Sequence, residues 1–142
     1  MPHSYSAIWI HLIRSTKNRE PILIPSLKKE VYAVIHVIAK DYEIHLDCIN
    51  GPEDHVHLLI RLRTDQSVAE VVKTIKGNSW EHFKENPEKY ITWQDGFAAF
   101  SVSPDNLQRV RNYIYNQERH HKNLSFGDEL KKIKKETKSS KP

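Results

Sequence analysis

The stretch His55-Val56-His57-Leu58-Leu59-Ile60-Arg61-Leu62-Arg63 decides the fold. Its even positions, Val56, Leu58, Ile60 and Leu62, are all apolar, the two-residue period of a strand with one face on a core. The odd positions, His55, His57, Leu59, Arg61 and Arg63, then share the opposite face. On its N-terminal side, Asn50-Gly51-Pro52 is a turn, and residues 43–49 alternate as a second strand. Further back, Ser26 has the chemistry of an N-cap for a helix over about 27–40, with Leu27, Val31, Val34, Ile35 and Ile38 at helical spacing. Pro21 and Pro25 mark the loop before it, and residues 5–15, rich in aromatic and β-branched types, form the first strand. On the C-terminal side, Ser67 caps a second helix carrying Val68, Val71, Val72, Ile75, Trp80 and Phe83, with Gly77 weakening its middle. Residues 86–96 form a loop, and Phe97 to Val102 a fourth strand. Ser103-Pro104-Asp105 opens a third helix over about 104–121. Beyond Gly127 lies a Lys-rich segment, a terminal helix or a solvated tail. The order β-α-β-β-α-β-α predicts an α+β, ferredoxin-like split βαβ fold: a four-stranded antiparallel sheet, two helices on one face, and an extra C-terminal helix. Such a sheet leaves its other face for a ligand, a partner or the last helix.

A chain of 142 residues fits one domain. No apolar run approaches the ~20 residues of a membrane helix, and Met1-Pro2-His3-Ser4 opens no signal peptide. The single cysteine, Cys48, excludes an internal disulfide framework and a Cys-rich zinc site, reads as a small buried residue, and fits a reducing, cytoplasmic setting. The net charge of +4 is misleading, because residues 131–142 hold six lysines against one glutamate. The rest of the chain is nearly neutral, so nucleic-acid binding does not follow from overall charge. Nine histidines are the more unusual feature.

Two imidazoles two residues apart on one strand can converge on a metal ion, and Arg61 and Arg63 extend that face with positive charge suited to phosphate. Taken alone, the triplet equally fits a half-exposed strand with ordinary polar residues. On the third helix, Tyr113 and Gln117 are four residues apart, about 40° around the axis. They flank the apolar stripe of Leu107, Val110 and Ile114, while Tyr115 points away from both. Each of the two also fits a plain role, as an aromatic flank of the core or a solvated helix residue.

The combination resembles a known family. His55-Val56-His57 within "GPEDHVHLLI", followed by "VRNYIYNQERHHK", is similar to the HUH endonuclease signature, with Val56 as the bulky apolar residue between the histidines. The nearest resemblance is to the single-tyrosine transposases of the insertion sequence 200/605 type. "IHLIRSTKNREPIL", "IKGNSW" and "WQDGFAAFSVS" resemble that family as well. The likeness spans about residues 1–130, and implies a transposase domain over 1–127 followed by a tail over 128–142.

The resemblance implies that His55, His57 and Gln117 are metal ligands and Tyr113 the nucleophile. It implies Mg²⁺ or Mn²⁺ in use and a covalent 5′-phosphotyrosine intermediate that releases a 3′ hydroxyl. The implied substrate is hairpin-forming single-stranded DNA at the ends of a mobile element. The implied assembly is a homodimer with active sites shared between subunits, acting in the cytoplasm at the nucleoid. Arg14, Lys17, Arg61, Arg63, Lys73 and Lys76 are the candidate DNA contacts, each also readable as a solvated charge. His11 reads as a core histidine, and His120 and His121 as helix-end residues. Two other readings compete. A non-catalytic single-stranded nucleic-acid-binding module on the same scaffold requires stacking aromatics on the open face. A metal hydrolase using His55, His57 and either His82 or His120 with a bound water keeps its activity without Tyr113.

Overall fold

The computed structural model describes residues 4–117 and 125–139. Strands β1 (Ile8–Ser15), β2 (His45–Asn50), β3 (His55–Leu62) and β4 (Ala98–Val102) form one sheet in the order β2-β3-β1-β4. All neighbouring pairs are antiparallel. Helices α1 (Pro25–Asp41) and α2 (Val68–Phe83) join β1 to β2 and β3 to β4, which is the expected split βαβ arrangement. Helix α3 (Leu107–Tyr115) follows β4, and α4 (Phe126–Ser139) ends the chain.

The alternation in β3 sorts its side chains as expected. Val56, Leu58 and Ile60 join Leu12 of β1 in a core beneath Val31 and Ile35 of α1 and Val71, Ile75 and Phe83 of α2. Leu59 faces the other way, in a second cluster with Trp9, Cys48, Val102 and Ile114 of α3. That second face is not free. The Leu107, Val110 and Ile114 stripe lays α3 across it, and Arg111 grips Asp47 of β2 through two bonds of 2.8 and 2.9 Å. Asn50 Nδ2 donates to the carbonyls of Ile114 and Tyr115, both at 3.1 Å, satisfying acceptors that a helix end leaves open.

Two helix starts differ from expectation. Pro25, not Ser26, opens α1, because a proline at the first helical position needs no capping partner for its missing N–H; Ile24 precedes it with no side-chain cap. Pro104–Asn106 form a 3-10 turn, so α3 proper begins at Leu107, and Ser103 accepts from the Asn106 side chain instead of capping the backbone. Ser67 does cap α2, accepting from the Glu70 amide at 3.0 Å. The expected continuation of the third helix over 118–121, including His120 and His121, lies outside the described residues. The Lys-rich end resolves in favour of a helix, which begins at Phe126, so a boundary at residue 127 falls within it.

Gly51 sets the start of β3. A Cβ there would lie 2.2 Å from the His55 carbonyl oxygen and 2.9 Å from the Val56 Cα, both rigid backbone. Gly51→Ala is therefore expected to destabilise the fold by ~1–3 kcal/mol or more and to displace His55. Urea unfolding reads the first effect.

Candidate active site

Register brings the site together. In the β1–β3 ladder, Ile13 pairs with His57, Ser15 with His55 and His11 with Leu59. His11 thus lies diagonal to His57 on the same face, within reach of an imidazole. His11 Nε2 and His57 Nδ1 are 2.8 Å apart. His55 Nδ1 is 2.8 Å from Asp54 Oδ1. With both Nδ1 atoms engaged, the two Nε2 atoms meet one oxygen: Glu129 Oε1, at 2.8 Å from His55 and 3.0 Å from His57. The other oxygen of Glu129 accepts from the Tyr113 hydroxyl. The Tyr113 ring lies 5.8 Å from that of His57 and 6.3 Å from that of His11.

His55, His57 and Tyr113 of one chain therefore converge on a single carboxylate. Gln117, one turn beyond Tyr113, is fully buried, as both histidines are. Its Nε2 donates to the Tyr113 carbonyl at 3.3 Å. Its Oε1 is buried with no hydrogen-bond partner among the described residues. Such an atom is costly unless something accepts its lone pairs.

Charge and burial oppose one another here. Burial alone would raise the Glu129 pKa, but the bonds from His55 and His57 outweigh it and hold the carboxyl well below its usual range. Burial alone would lower that of His55, yet Asp54 and Glu129 raise it. Burial first, then Glu129, pushes the Tyr113 phenol far above its ordinary value. Burial and the neighbouring His57 lower His11 to about 3, so it is neutral.

These directions fix a pH dependence for the protein in chelator. The depressed Glu129 contributes stability that is present above the ordinary carboxyl value of 4.5 and lost as acid protonates it. The raised His55 contributes stability that is complete below 6.5 and lost as pH climbs through its folded value. Neutral His11 costs stability as pH falls below 6.5, where the unfolded imidazole takes a proton and the folded one does not, so thermal midpoints in EDTA are expected to peak near 6.5 and to fall on both sides, a trend that Glu129→Gln flattens.

The sequence reading misses Glu129, Asp54 and the contact of His11 with His57. A signal for Glu129 exists. Phe126, Leu130 and Ile133 fall at helical spacing, and Glu129 shares their face. The Phe126 ring lies on that of His55 at 4.3 Å and 31°, and the Arg19 guanidinium lies over the Phe126 ring at 5.1 Å.

The basic candidates divide. Arg14 is buried, donating to the backbone carbonyls of Gln94 and Asp95 at 2.7–3.0 Å. Arg61 donates to the Ser6 carbonyl and lies over Trp9 and Tyr5. Arg63 is held by Asp65 and Glu43. Lys17, Lys73 and Lys76 line one groove with Trp80, where Lys76 pairs with Asp95 at 2.8 Å. His82 is exposed and lies on α2, whose buried residues pack on the opposite face of the sheet.

The fold and this histidine-lined face define the class: an α+β domain with ligand atoms of His55, His57 and Glu129 within 4.8 Å of one another, a cluster able to hold a metal ion. The family model described as "Transposase IS200 like" matches residues 4–117. The chain belongs to that family of DNA-cleaving, strand-transferring enzymes. It is 25% identical over 114 residues to the ISDra2 transposase TnpA of Deinococcus radiodurans, covering 75% of this chain and 81% of the relative. Two solved structures share its fold. A transposase structure from Deinococcus radiodurans R1 has a TM-score of 0.66 at 23% identity, over 82% of this chain and 95% of the other. A REP-associated tyrosine transposase bound to a REP hairpin has a TM-score of 0.64 at 17% identity, over 85% and 73%. Among the described residues no helix is long and apolar enough to cross a membrane.

Proposed function

We propose that the chain cuts and rejoins single-stranded DNA through a covalent 5′-phosphotyrosine on Tyr113. One observation carries this reading: a phenol and two imidazoles from separate elements engage one carboxylate, so a single phosphate group could engage all three. In the cut, a Tyr113 Oη–phosphorus bond forms and the phosphorus–O3′ bond breaks. The phenol loses one proton and the departing 3′ oxygen gains one, and rejoining reverses both. The phosphotyrosine conserves the bond energy, so no ATP is consumed.

Mg²⁺ or Mn²⁺ fits the donors present. His55 and His57 aim Nε2 atoms at one point, Asp54 and His11 hold their Nδ1 sides, and Gln117 offers a buried carbonyl oxygen with no partner among the described residues. His55, His57 and Gln117 would hold such an ion through neutral donors, and it would supply positive charge to offset that of the phosphate. The chain's own residues do the rest. Ile114 anchors α3, Asn50 and Asp47 fix its position, and the buried setting holds the phenol protonated until substrate arrives.

The substrate we propose is a hairpin-forming single strand, the kind of ligand on which the REP-associated relative was solved. Lys17, Lys73 and Lys76, along one groove, are the best-placed of the basic candidates for its backbone. We propose a homodimer. Its active sites need not be shared, because α3 reaches the histidines of its own chain; sharing would require α3 to cross to the partner. Hairpin-forming single-stranded DNA oligonucleotides, drawn from imperfect palindromes sought beside the gene and incubated with protein and Mn²⁺, are expected to give an SDS-stable adduct that peptide mapping assigns to Tyr113. Cleavage with no adduct, or an adduct on another residue, overturns the reading.

A further inference from the structure

We propose, resting on the reading above, that Glu129 is a stand-in for the DNA phosphate: a displaceable ligand that α4 keeps in the site until a strand replaces it. The carboxylate presents two oxygens as a phosphodiester presents two non-bridging ones. One oxygen faces both histidine Nε2 atoms, at 2.8 and 3.0 Å, and the other takes the Tyr113 hydroxyl. Lying beside both Nε2 atoms, the same oxygen would be one of the donors that hold an ion there. Exchanging one carboxylate for one phosphodiester swaps a single negative charge for another. The net charge at the ion is unchanged, and the exchange carries little electrostatic penalty.

Access requires the exchange. His55, His57 and Gln117 are fully buried and Glu129 is 1% exposed, which leaves a polynucleotide no approach while α4 is docked. The docking itself is slight. Of the α4 side chains described, only Phe126 and Glu129 are buried, with Leu130 and Ile133 half-buried and the lysines between them outside. The family match ends at Gln117, so α4 lies outside the matched region.

The full-length protein tests this with two readouts that must move in opposite directions. Mn²⁺ alone, titrated by electron paramagnetic resonance, is expected to bind Glu129→Gln about tenfold more weakly than wild type, because an anionic ligand is lost. At saturating Mn²⁺, flanking-hairpin oligonucleotides are expected to bind Glu129→Gln more tightly, by up to about tenfold if the closed form holds nine-tenths of the population. Phe126→Ala, which loosens α4 and leaves the carboxylate intact, is expected to raise hairpin affinity too. Unchanged Mn²⁺ affinity in Glu129→Gln, or weaker hairpin binding in both variants, overturns the inference. The control is His55→Ala. If it abolishes Mn²⁺ binding while Glu129→Gln does not alter it, only this inference falls; if His55→Ala binds Mn²⁺ normally, the metal reading falls with it.

Discussion

Tyr113→Phe is expected to abolish the covalent adduct and to lower strand cleavage by at least about 10⁴-fold, the scale on which removal of an enzymatic nucleophile acts. Hairpin binding should persist. The ring packs against the second cluster beside Ile114 and Val110, and phenylalanine keeps that packing. The lost hydroxyl removes one of several bonds to Glu129, whose contacts with His55 and His57 remain. A denaturing gel for the adduct and a gel shift for binding separate the two effects. Cleavage at an undiminished rate by the phenylalanine variant would identify a water-attack hydrolase instead.

His57→Ala is expected to be nearly as severe for activity and more damaging to the fold. A bound ion stabilises a phosphoryl transition state by several kcal/mol, so loss of a ligand should slow cleavage by about 10³-fold even at high Mn²⁺. The stability loss has a separate origin. His57 is fully buried between His11 and Glu129, and its removal leaves an imidazole and a carboxylate short of a partner inside the protein. Urea unfolding in EDTA should show a loss of ~2–4 kcal/mol. Arg63→Ala makes a suitable comparison, because its ion pairs with Asp65 and Glu43 lie at the surface, where solvent screens them and their loss costs little.

Much of this architecture is legible in the amino-acid order. The alternation Val56-Leu58-Ile60 against His55-His57-Leu59 sends one apolar row to the core under α1 and α2 and the histidines to the opposite face, as read; the second apolar cluster on that face, around Leu59 and Ile114, is not part of that reading. Ser67 and the Val71/Val72/Ile75 stripe announce α2 in the same local terms. The reading fails where long-range geometry decides. Arg14 looks like a surface cation, but its partners are carbonyls 80 residues away, and a backbone acceptor leaves no trace in composition. His11 carries no motif of its own, and the ladder register alone makes it a neighbour of His57. Glu129 is hidden by its surroundings: in a Lys-rich segment a glutamate reads as a solvated counter-charge, and only the turn of Phe126 onto His55 directs it inward.

The outer sides of both imidazoles are braced by the protein itself, one from the turn before β3 and one from β1. Their orientation is thus settled during folding and not by whatever later binds between them. Stripping the protein with a chelator and then restoring Mn²⁺ should bring activity back with no slow phase of ring rearrangement, and one divalent cation should replace another without the backbone registering the change.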